Sequence, residues 1–119
     1  MKKYDLEERT TNFSVSIVKF AEQIYVNPIR RSLADQLTRS GTSIGANYCE
    51  ANHAGSRRDF TYKIGICRKE AKETIYWLRV VKSLMPLNNE IEKLLQEAKE
   101  LTLIFSSIYL HSRNKKPTV

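Results

Sequence analysis

Apolar positions recur at helical spacing along the chain, in four runs separated by turn-forming residues. Phe13, Ile17, Phe20 and Ile24 stand 4, 3 and 4 residues apart, the interval at which side chains share one face of an α-helix. Asp5, with Glu8 three residues on, supplies a capping box ahead of them, so the pattern predicts a helix over about residues 5–25. Asn27-Pro28 ends that helix and opens the next: Asn27 suits the N-cap, and Pro28 suits the first helical position, where a missing N–H costs nothing. A second series, Leu33, Leu37, Ile44, Tyr48 and Ala51 with Ser40 in the gap, is close to a heptad seam and carries helix two to about Ala54.

Gly41 and Gly45 fall inside this second helix, four residues apart on one face. Each costs about 1 kcal/mol against alanine, so the pair predicts either a close backbone approach by a neighbouring helix or a break near residue 41. Gly55-Ser56 forms the next turn, with Ser56 as N-cap and Asp59 in the acidic third position. Helix three then runs from about Arg57 to Met85, roughly 40 Å at 1.5 Å per residue, and Pro86 closes it. Asn88 caps a fourth helix whose stripe is Ile91, Leu94, Leu95, Ala98, Leu101, Phe105 and Ile108. Residues 112–119 hold Arg113, Lys115, Lys116 and Pro117 without an apolar pattern and read as a basic flexible tail behind one domain of residues 1–111. Four long striped helices on short turns predict an all-α fold, an antiparallel up-down left-handed four-helix bundle.

Composition agrees: a chain of 119 residues with only 4 Gly and 3 Pro is one small domain with little material for a many-turned β-fold. Cys49 and Cys67, with no secretory segment, point to reduced thiols in a cytoplasm, and no apolar run approaches the roughly 20 residues of a membrane span. Charge changes the picture more, because 20 Lys and Arg against 13 Asp and Glu leave a net +7. Most of the excess lies in helix three, where Arg57, Arg58, Lys63, Arg68, Lys69, Lys72, Arg79 and Lys82 face only Asp59, Glu70 and Glu73. At about 100° per residue, Phe60, Ile64, Cys67, Ala71, Leu78 and Met85 form its core stripe, and Arg57, Arg68, Lys72, Arg79 and Lys82, extended by Arg58 and Lys69, form a band beside it. Tyr62, Ile66, Glu73, Trp77 and Val80 lie away from the core, and Tyr62, Ile66 and Trp77 are expected at a subunit interface. The basic band reads either as a solvated face or as an edge that contacts nucleic-acid phosphates.

No catalytic residue emerges. Glu50-Ala51-Asn52-His53 matches the Glu-x-x-His of di-iron bundles, but those sites need two such motifs and the chain has one, so no metal and no cofactor is expected. Ser40-Gly41-Thr42-Ser43-Ile44-Gly45 lacks the terminal Lys-Ser/Thr of a P-loop and follows a helix, which leaves small residues at a helix crossing. Arg39, Asn47, Glu70 and Glu73 are expected to form a structural polar network, with Arg39 paired to Glu70 or Glu73 across the hairpin of helices two and three.

The segment Leu33 to Leu78 resembles the bacterial four-helix-bundle proteins encoded in intervening sequences of 23S rRNA genes. The likeness is carried by Gln36-Leu37-Thr38-Arg39-Ser40, Thr42-Ser43-Ile44-Gly45-Ala46-Asn47, Glu50-Ala51, Ser56-Arg57-Arg58-Asp59-Phe60, Lys69-Glu70-Ala71, Glu73-Thr74 and Tyr76-Trp77-Leu78. The resemblance implies a homopentamer around a central opening. It extends to the accessory proteins of diversity-generating retroelements, basic pentamers that engage nucleic acid and a reverse transcriptase. With it, the sequence predicts a non-enzymatic, cytoplasmic oligomer that binds RNA or DNA through Arg57, Arg58, Arg68, Lys69, Lys72, Arg79 and Lys82. The alternative is a scaffold whose basic edge meets an acidic protein partner and no nucleic acid.

Overall fold

The computed structural model describes residues 5–115, of which all but the turns are helical. Helix α1 spans Leu6–Tyr25, α2 Arg31–Asn52, α3 Arg57–Leu84 and α4 Asn89–Asn114. Each helix packs along its length against its neighbour in sequence, and α4 returns more sparsely to α1, which makes an up-down bundle of 57 × 29 × 20 Å. No helix among the described residues is long and apolar enough to cross a membrane.

Local chemistry sets the helix ends. Asp5, Ser56 and Asn88 cap α1, α3 and α4, accepting from the amides of Glu8 at 3.0 Å, Asp59 at 3.1 Å and Glu90 at 2.9 Å, and so satisfy donors that have no partner inside the helix. The Asn27-Pro28 signal differs in detail: Asn27 caps a single 3₁₀ turn, Pro28–Arg30, and α2 begins only after it. Helix α2 stops at Asn52, two residues short of the expected end. Helix α4 continues through Asn114, three residues into the expected tail, because Ser112 is buried against Thr61 of α3 and the two hydroxyls hydrogen-bond. Residues 116–119 of that tail lie outside the described residues.

The core is continuous and apolar. Ile17, Phe20, Leu37, Ile44, Ile64, Leu78, Ile91, Leu101 and Phe105 are among its fully enclosed side chains. On α3 the expected stripe is buried at Ile64, Cys67, Ala71 and Leu78, while Phe60 and Met85 are only partly covered and Thr74 and Val81 complete it. Helix α2 runs unbroken through Gly41 and Gly45. Their role is close approach: a Cβ on Gly41 would stand 2.8 Å from Ile17 Cγ2, and one on Gly45 would stand 3.0 Å from Thr10 Oγ1. Helix α1 therefore lies nearly on the α2 backbone, which offsets the helix-propensity cost of both glycines.

Two ionic clusters fix register between helices. Arg39 of α2 donates to Glu70 at 3.2 Å and to Glu73, both on α3, and Trp77 Nε1 donates to the same Glu73 carboxylate at 3.1 Å. Asn47 stays outside this network and donates instead to the Ser43 carbonyl at 2.8 Å. Across the sparse α1–α4 side, Arg9 grips Glu97 through two nitrogens at 2.7 and 2.9 Å and reaches Glu100 at 2.7 Å. These bonds raise the Arg9 pKa further, with Glu97 contributing most. The fork geometry and shared partner give this cluster more weight than an isolated surface pair.

Five outcomes follow from these contacts. Gly41→Ala will lower stability by about 1–2 kcal/mol, since crowding against an enclosed Ile17 outweighs the gain in helix propensity. Gly55→Ala, with nothing within 4 Å of the added methyl, will be neutral in a urea titration that resolves the Gly41→Ala loss. Arg39→Met will cost about 1–2 kcal/mol because it strands the nearly buried Glu70, a value discounted for the half-exposed guanidinium. The Trp77 N–H, and after it Arg39, hold the Glu73 carboxyl below the usual range. The folded state therefore favours the ionised form; that stabilisation is complete above the unfolded value of about 4.3 and disappears as pH falls through the lower folded value. Melting temperatures between about pH 6 and pH 3 will fall less steeply in Trp77→Phe than in the parent. Burial pushes the Cys67 thiol up to about 12, whereas Cys49 is exposed. A thiol-reactive dye will accordingly label Cys49 in the folded protein and Cys67 only after denaturation.

Candidate nucleic-acid interface

Helix α3 presents its cations beside α4, and the site is built from both helices. Ser56 starts α3 so that Arg57 and Arg58 fall in the first turn; Arg57 donates to the Lys115 carbonyl at 3.1 Å, fastening the start of α3 to the end of α4. Two turns further, Gly65 leaves room for Tyr109 of α4: a Cβ there would lie 3.0 Å from Tyr109 Cε1. The phenol ring thus rests against the α3 backbone. The Arg68 guanidinium lies 4.4 Å from the ring centroid and that of Arg113 5.6 Å, so the π-face holds two cations at the groove edge.

Three open depressions follow this α3–α4 face. One of about 470 Å³ is lined by Tyr62, Gly65, Ile66, Arg68, Lys69, Lys72 and Tyr109. A second, of about 400 Å³, is lined by Arg57, Arg58, Thr61, Tyr62, Tyr109, Ser112 and Arg113. They share Tyr62 and Tyr109 and are therefore contiguous. Farther along, a third of about 460 Å³ is lined by Ile75, Arg79, Lys82, Ser83, Leu95 and Lys99. From Arg57 to Lys82 the cationic track is about 38 Å long at 1.5 Å per residue.

All seven residues expected to contact nucleic acid line these depressions. Among the described residues, Lys82 is the one of the seven in an ion pair, with Glu92 at 2.6 Å. Two of the three acids of α3, Glu70 and Glu73, pair with Arg39 of α2. The expected interface set divides. Tyr62 and Ile66 line the same groove as Arg68, Lys69 and Lys72, while Trp77 is half-buried, packs on the core of its own chain, meets Tyr76 edge to face and donates to Glu73. The basic band and the outward aromatic cluster of α3 are thus one continuous surface in its first half.

Lys99, Tyr109 and Arg113 were invisible to a reading confined to α3. The signal was present: at about 100° per residue these three fall within about 80° of one another on α4. Glu50 pairs with Lys63, and His53 Nδ1 lies 2.9 Å from the Cys49 carbonyl, so the Glu-x-x-His pair is occupied by local contacts. No group of three or more His, Cys, Asp or Glu able to hold a metal occurs among the described residues.

Residues 2–107 match the family described as 23S rRNA-intervening sequence protein. A crystal structure of a protein of unknown function from the S23 ribosomal protein family of Bacteroides thetaiotaomicron VPI-5482 is similar, with a TM-score of 0.80, 35% identity, and coverage of 87% of this chain and 96% of that one. A comparison with curated proteins finds no match. Matched over nearly its whole length, the chain belongs to the 23S rRNA-intervening sequence protein family.

Proposed function

We propose that this protein is a non-enzymatic accessory factor that binds RNA or DNA along the α3–α4 track, without strong sequence preference. The observation that carries this reading is the row Arg57, Arg58, Arg68, Lys69, Lys72 and Arg79, six cations on one rigid face with no carboxylate paired to them among the described residues. Regularly spaced cations displace condensed counterions from a phosphate backbone, and that release drives association independently of base identity. The track offers no base-reading motif, consistent with backbone contact as the main source of affinity. The family resemblance supplies the second part of the proposal, self-association into a pentameric ring. Five copies of a weak track would gain affinity by raising the effective concentration of each next contact.

Binding of a labelled RNA will weaken steeply with salt. If six phosphates are neutralised, log Kd will change with log salt at a slope of about 4 for a single strand. The variant R68E/K72E/R79E will abolish it while retaining the helical circular-dichroism signal. Salt-insensitive binding, or none, overturns the proposal, and capture of polyglutamate in preference to RNA would favour the acidic-partner reading.

A further inference from the structure

The cationic groove contains a side chain that phosphate binding alone does not explain. Tyr62 is 66% exposed, yet it sits where the two contiguous depressions meet, with Arg68, Lys69 and Lys72 on one side and Arg57, Arg58 and Arg113 on the other. Among the described residues no ring or guanidinium covers its face, and nothing hydrogen-bonds its hydroxyl. Its neighbour Tyr109 is different: that ring is seated on Gly65 and covered by Arg68. The groove therefore holds one spoken-for aromatic and one bare aromatic, the latter flanked by cations on both sides.

A bare aromatic among phosphate-binding cations has chemistry that suits an unpaired nucleotide. Every base has a π-face, so stacking on a tyrosine tolerates any sequence. In a duplex that face is buried between neighbouring base pairs, and an external ring cannot reach it without extruding the nucleotide. We propose that Tyr62 is a stacking platform that makes this groove selective for single-stranded over double-stranded nucleic acid, the cations tracking the backbone as it passes on either side of the stacked base. This deepens the nucleic-acid reading above and rests on it.

The test compares a fluorescein-labelled 20-nucleotide oligo(U) with a 20-base-pair RNA duplex by fluorescence anisotropy on the full chain. Oligo(U) will bind more tightly than the duplex. Tyr62→Ala will weaken oligo(U) binding by about 5- to 150-fold, the range that stacking of one base corresponds to. It will leave duplex affinity and the salt slope within about twofold, and Tyr62→Phe will restore the loss because the ring, not the hydroxyl, does the stacking. With its side chain mostly exposed, neither variant threatens the fold. Equal losses on both probes, or none on oligo(U) while R68E/K72E/R79E still eliminates it, would overturn the single-strand proposal and leave the phosphate-binding reading standing. A changed oligomer mass for Tyr62→Ala in light scattering would overturn it too, by placing Tyr62 at a contact between copies. If neither probe binds the parent protein, both proposals fall together.

Discussion

The structure turns on the burial of a single narrow stripe of α3 between α2 and α4. An amphipathic helix gives up to its neighbours only the arc they cover, and unpaired charges are excluded from that arc because desolvating them costs far more than the packing returns, while Glu70 enters its edge paired with Arg39. With Ile64, Cys67, Ala71, Leu78 and Val81 fixed inward, the 3.6-residue period sets Arg57, Arg68, Lys72, Arg79 and Lys82 along one flank of that stripe, while Lys63 falls on the other and pairs with Glu50 of α2. Their alignment is thus a consequence of core packing, and the length of the track is the length of the helix.

Charge becomes concentrated on this face because the acids are drawn elsewhere. Glu70 and Glu73 turn toward Arg39 on α2, and Glu97 and Glu100 turn toward Arg9 on α1. Each arginine therefore both fixes a helix register and neutralises two carboxylates. The Trp77 indole joins the Arg39 cluster by donating to the Glu73 carboxylate. The same polar contacts that hold the bundle in register thus sharpen its electrostatic polarity.

Helix existence was legible because it is written in local rules. Caps such as Asp5, Ser56 and Asn88 act within three residues, and the apolar stripes need only one helix's own period. Gly41 and Gly45 left two readings open, a close neighbour or a broken helix, and the unbroken α2 with Ile17 and Thr10 against it selects the first. The end of α4 shifted through tertiary partners, since Thr61 and Arg57 of α3 hold its last turn, whereas the start of α2 shifted locally, behind the 3₁₀ turn that Asn27 caps. The seven cations were legible as one band for the same reason as the core stripe, being defined by one helix.

What could not be read was how faces of different helices combine. A helical wheel separates Tyr62 and Ile66 from Arg68 by more than a right angle, which suggests two surfaces with two purposes. Gly65 undoes that separation. By admitting Tyr109 against the α3 backbone it draws α4 over the arc between them, and the aromatic and basic sectors become opposite walls and floor of one groove. A methyl group at residue 65 would stand 3.0 Å from Tyr109 Cε1 and displace that ring slightly, so the smallest side chain in this region sets how closely Tyr109 can lie between the aromatic and the cationic sectors of α3.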